Sequence, residues 1–164
     1  MTDSDHLADF RQLLDELNAE SPRGGVMVAC ATLDDLLAKT IAARLIDDAN
    51  AGKLLDGFNA PLGSFSSRIV AAFALGVVSR LEFDDLQVIR KIRNDFAHRA
   101  GVSFADPSIK DKAMTLKMAA QDYGIVIVPP AGRFTTAAVA LILNLTNRPY
   151  YVSQKRLVTE EWPY

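Results

Sequence analysis

Glu82 to Gly101 reads EFDDLQVIRKIRNDFAHRAG. At about 100° per residue, Leu86, Ile89, Ile92, Phe96 and Ala97 gather on one arc of a helical wheel. Glu82, Asp84 and Asp85 fall in the first turn and the bases in the second half, the order a helix macrodipole favours. The pattern predicts one amphipathic helix over Glu82–Arg99. Arg93 falls inside its apolar arc, where a guanidinium cannot shed its charge and must reach out along its stem or meet a carboxylate.

Helical patterning extends on both sides of this segment. Leu7, Phe10, Leu13, Leu14 and Leu17 recur three and four apart over Ser4–Asn18, and Val26, Cys30, Leu33, Leu37 and Ile41 form a second stripe running to about Asp47. Ser21-Pro22 offers that second helix an N-cap and a proline at its first position. Asn50–Gly63, with three glycines and a proline, reads as a loop holding at most one helical turn. Ser64 can cap a very apolar helix reaching Leu81, expected to be the central one. Ser108–Gln121 and Thr135–Asn147 supply two more helices. Between them YGIVIVPP, Tyr123–Pro130, looks like a strand with nothing to pair with, hence an extended connector or minor hairpin. These elements predict an all-α, single-domain bundle of about six helices over residues 1–164, with an aromatic tail at 148–164.

Composition narrows the function. The 164 residues are 49% hydrophobic, enough for one sizeable core. Eighteen basic and twenty acidic residues give a net charge of −2, so no overall basic field favours a phosphate backbone and a nucleic-acid partner would need a local patch. Lys155-Arg156 is too small to be one. The neighbouring Tyr150, Tyr151, Trp162 and Tyr164 are expected to pack on the domain or on a partner subunit. One cysteine and two histidines hold no zinc or haem pattern, and GxGxxG and P-loop sequences are missing, so no cofactor or metal is expected. MTDSDHLADF carries acids where a signal peptide carries bases, and the longest low-charge stretch, Thr135–Asn147, is too short to span a bilayer. These features predict a cytoplasmic protein that does not cross a membrane.

Arg93, Asn94 and His98 are the chemically suggestive residues. Asn94 and His98 lie four apart on one flank, so the amide can orient the imidazole. Arg93 and His98 are about 140° apart and converge only through the arginine's length or fraying of the helix end. Such a trio suits metal-free cleavage of an RNA phosphodiester, with histidine moving the proton and arginine stabilising the transition state. The competing reading is structural: histidine at a helix C-terminus meets the dipole favourably. Asp34, beside the apolar stripe of the second helix, is the expected carboxylate for Arg93, in a bidentate pair locking two helices together. His6 has no partner at ligand spacing.

Phe58, Pro61-Leu62-Gly63, Ser67-Arg68-Ile69 and Ile92-Arg93-Asn94 leading to Ala97-His98 resemble the mannitol operon repressor (MltR-like) family over roughly Gly24–Ile109. The resemblance implies an all-helical transcriptional regulator without a recognisable DNA-binding motif, acting through protein contacts. Arg93-Asn94 with His98 also looks like the R-x4-6-H signature of the HEPN superfamily, which implies a dimer whose cleft joins two such motifs, either as a metal-independent ribonuclease or toxin or as a noncatalytic module. In that case Arg93 and His98 would be catalytic or ligand-binding, Asn94 would support them, and Arg68 could add a second positive group to the cleft. The alternative for Arg68 is an ordinary salt bridge.

Overall fold

The computed structural model describes residues 11–163 apart from Leu13 and Asn18. The first expected helix lies only partly within these limits; residues 11, 12, 14–17 and 19 are helical. Seven further helices follow: α1 Pro22–Arg44, α2 Ala49–Gly52, α3 Phe65–Ala74, α4 Arg80–His98, α5 Pro107–Met114, α6 Pro130–Thr146 and α7 Arg148–Ser153. The fold is all-α; the described residues contain one isolated β-bridge, Tyr123 to Val126, and no helix long and apolar enough to cross a membrane.

Helix α1 is the axis of the bundle. Ser21 caps it by accepting from the Gly24 N–H at 3.1 Å, and Pro22 opens it. Helices α3, α4, α6 and α7 all pack against it, so Val26, Cys30, Leu33, Leu37 and Ile41 are buried together with Ala29, Thr40 and Ala43. Each large apolar side chain buried this way contributes about 1.5–3 kcal/mol.

The central position expected for the Ser64–Leu81 segment therefore belongs to α1, and that segment is not one helix. Ser64 and Ser67 close a capping box as expected, but α3 ends at Ala74. Gly76 takes φ +66, a left-handed conformation open to glycine at little cost, and Ser79 starts α4 with a second capping box to Glu82. Only Ile69 and Ala72 of α3 are fully buried. Val70 is half exposed, and Phe73 stacks on Phe83 at 4.6 Å beneath the Arg80 guanidinium.

Helix α5 stops at Met114, well short of Gln121. Asp85 explains why: its carboxylate accepts the backbone N–H groups of Lys117 at 3.0 Å and Met118 at 2.7 Å. Those N–H groups are thereby taken out of the helical ladder. YGIVIVPP folds as the minor hairpin, with Gly124 at φ +59 in its turn. Its base is held by Arg133, which is almost fully buried and pairs with Asp122 at 2.8 Å and the Gln121 side chain at 2.9 Å. Of the two settings expected for the tail aromatics, the domain or a partner subunit, the first is not seen: Tyr150, Tyr151 and Trp162 are all more than 60% exposed on the single chain. Tyr164 and His6 lie outside the described residues.

Candidate functional site

Helix α4 carries the residues singled out in the sequence. Its capping box is complete: the Glu82 carboxylate accepts from the Ser79 N–H at 2.7 Å, and Ser79 Oγ accepts from the Glu82 N–H at 3.2 Å. Leu86, Ile89, Ile92 and Phe96 are buried as the wheel predicts, and Ala97 is half buried. Phe96 continues into an aromatic ladder, 5.0 Å to Phe104 and on 5.6 Å to Phe134, which ties α4 to α6.

Arg93 does not form the expected ion pair with Asp34. Arg68 holds that carboxylate, with Nη1 2.9 Å from Asp34 Oδ1, and donates from Nε to the Leu62 carbonyl at 2.9 Å and from Nη2 to the Leu55 carbonyl at 3.0 Å. The Asp34 contact is close but not aligned as a hydrogen bond, so charge attraction is its main component. Physically, α3 and α4 both lie against α1, and the arginine on α3 is the one facing the Asp34 flank. Arg68 thus straps the loop after α2 to the central helix and adds nothing to a cleft around Arg93.

Arg93 is half buried and donates from Nη1 to Asn94 Oδ1 at 3.3 Å. That hydrogen bond turns the Asn94 carbonyl oxygen toward the arginine, whereas the sequence reading placed Asn94 beside His98. His98 is the last residue of α4 and is exposed. Beneath this face lies Cys30, whose thiol is pushed up to about 12 by burial, with the positive charge of Arg93 opposing the shift and the negative charge of Asp34 reinforcing it. A thiol so held stays protonated and is a poor nucleophile.

The surroundings of the motif are structural. Asp95 faces Lys112 of α5 at 3.0 Å and Arg99 at 3.7 Å, and Arg23 of α1 donates to the Arg99 carbonyl at 2.6 Å, closing the end of α4. The spacing that exposed Arg93 and His98 gave no hint of Arg23, because its partner is a main-chain carbonyl 76 residues away. Among the described residues, no group of three or more His, Cys, Asp or Glu side chains is placed to hold a metal ion. The motif thus offers one exposed imidazole and one arginine bound to a neutral amide.

No protein-family model matches the chain, and no curated protein matches it significantly. Among solved structures, it is similar to a chain in the X-ray structure of the MtlR–HPr complex from Escherichia coli, with a TM-score of 0.62 and 24% sequence identity over 89% of this chain and 99% of that one. The two chains share a fold. That likeness agrees with the resemblance to the mannitol operon repressor family at the level of architecture; the HEPN resemblance finds no support in the comparisons.

Proposed function

We propose that this chain is a cytoplasmic regulator of transcription that works by docking other proteins, in the manner of a mannitol operon repressor. The observation that carries the reading is its near full-length likeness to a chain crystallised in the MtlR–HPr complex. Surface composition supports it. Tyr123, Ile125, Val126 and Ile127 form an exposed apolar hairpin tip, Ile125 at 99% and Tyr123 at 85% exposure, and Phe58 stands at 97% on the loop after α2. Apolar exposure on neighbouring residues, as at the hairpin tip, suits a protein-binding surface better than a solvated one. HPr is the proposed first partner, and the working unit is a homodimer.

The ribonuclease reading draws less support, since Asn94 orients Arg93 and leaves His98 without its expected second. Two measurements test the proposal together. Deleting the gene should change transcript levels of a restricted set of operons, and the purified protein incubated with an RNA panel in EDTA should leave the RNA intact. Unchanged transcripts together with RNA cleavage that His98→Ala abolishes would replace the regulator with a nuclease.

A further inference from the structure

A cavity of about 780 Å³ lies apart from the Arg93–His98 face, with neither residue in its lining. The end of α1, the turn between α3 and α4, the first turn of α4 and α7 with the chain after it converge there. Its volume falls in the range of small-molecule sites. The charged residues of its wall are Arg44, Glu82, Arg148 and Lys155.

The four charges do not cancel. Glu82 is used up by Arg148, whose Nη2 lies 2.7 Å from Glu82 Oε1, while Arg148 Nη1 donates to Glu82 Oε2 at 3.2 Å and to the Val77 carbonyl at 2.9 Å. No carboxylate among the described residues pairs with Arg44 or Lys155. Arg44 gives one N–H to a neutral acceptor, the Lys155 carbonyl, and the rest of its planar fork remains for a ligand. Val77, Val78 and Val152 add apolar surface to the same lining, and Tyr151 contributes to it as well. A wall with two uncompensated cations and a hydrocarbon side selects an anion with a carbon body over an inorganic ion.

We infer that this cavity binds a small organic anion, its phosphate or carboxylate held by Arg44 and Lys155 and its carbon skeleton lying on Val77, Val78 and Val152. The site goes beyond the docking of a partner protein and does not depend on it. Bound ligand would bridge the end of α1 to the segment after α7, two elements already joined by the Leu157 N–H to the Arg44 carbonyl at 2.8 Å. Ligand that binds the folded chain alone would also raise the melting temperature, by an amount that grows with the logarithm of its concentration above Kd.

Thermal-shift and calorimetric titrations of the full chain with phenyl phosphate, glycerol 3-phosphate, benzoate, citrate and inorganic phosphate test this. The expected result is saturable one-site binding of at least one organic probe, tighter than inorganic phosphate. Arg44→Gln and Lys155→Gln should each weaken it about tenfold, the loss of one charge-assisted contact. Lys39→Gln, which removes a cation paired with Asp35 elsewhere on α1, should leave it unchanged. The Lys155 side chain is exposed, so that variant folds even if Arg44→Gln does not. The two phosphate esters against the two carboxylates decide which anionic group the site takes. Absence of binding by every organic probe, inorganic phosphate binding as tightly as they do, or affinity unchanged in Lys155→Gln would each overturn the inference.

Discussion

Glu82 and Asp85 in the first half of α4 and Arg93 and His98 in the second are held in opposite ways. In the first half Glu82 and Asp85 are almost completely buried, and each is fully engaged: Glu82 by Arg148, Asn144 and the Ser79 N–H, Asp85 by backbone N–H groups beyond α5. In the second half Arg93 is half buried with a neutral partner and His98 is in water. A buried charge is tolerable only when it is paired or hydrogen-bonded, and removing its partner is then costly. The residues that look most like chemistry are thus the least constrained, and those that look like ordinary dipole-matching acids hold the bundle together.

Substitutions sharpen this contrast. Asp85→Ala should have the largest effect, about 3–5 kcal/mol in urea unfolding, because it removes the charge-assisted hydrogen bonds that its buried carboxylate accepts from the Lys117 and Met118 N–H groups. A loss under about 1 kcal/mol would break the comparison at its strongest point. Glu82→Gln should cost about 3 kcal/mol by leaving Arg148 without its carboxylate.

Glu82 also predicts a pH dependence. Burial raises its pKa, but hydrogen bonds from Arg148 and Ser79 and the Arg148 charge outweigh this and hold it below the usual glutamate range. Folding therefore weakens proton binding at this site. The stability it contributes is full above the ordinary glutamate range and is lost as pH falls through the lowered folded value. Unfolding free energies measured down the acid limb should fall less steeply in Glu82→Gln than in the parent chain; identical slopes would remove Glu82 as a cause.

Smaller effects separate the two arginines. Arg68→Met should cost about 1–2 kcal/mol through the Asp34, Leu62 and Leu55 contacts, and Arg93→Met less than about 1 kcal/mol. The reverse order would restore Arg93 as the clamp. His98→Ala should change stability by no more than about 0.5 kcal/mol, as expected of an exposed side chain.

Periodicity made the helices legible, since burial of Leu86, Ile89, Ile92 and Phe96 follows from spacing. It also placed Asp34 on the flank of α1 next to an arginine, but the wheel fixes an angle on one helix and says nothing of which neighbour reaches it. Arg68 and Arg93 were therefore exchanged. Gly76 was readable only as a glycine inside an apolar run, although its left-handed backbone is what divides α3 from α4. Asp85 was legible only as a dipole-matching acid, because its partners are backbone N–H groups 32 and 33 residues away and a main-chain donor has no residue type.

If function lies in protein contacts and α4's second half is a strut, partner binding should not depend on His98. Calorimetric titration of HPr into the purified chain and into His98→Ala is the most direct test. The account predicts saturable binding with the same affinity for both proteins. No binding to either, or binding lost with the imidazole, would contradict it.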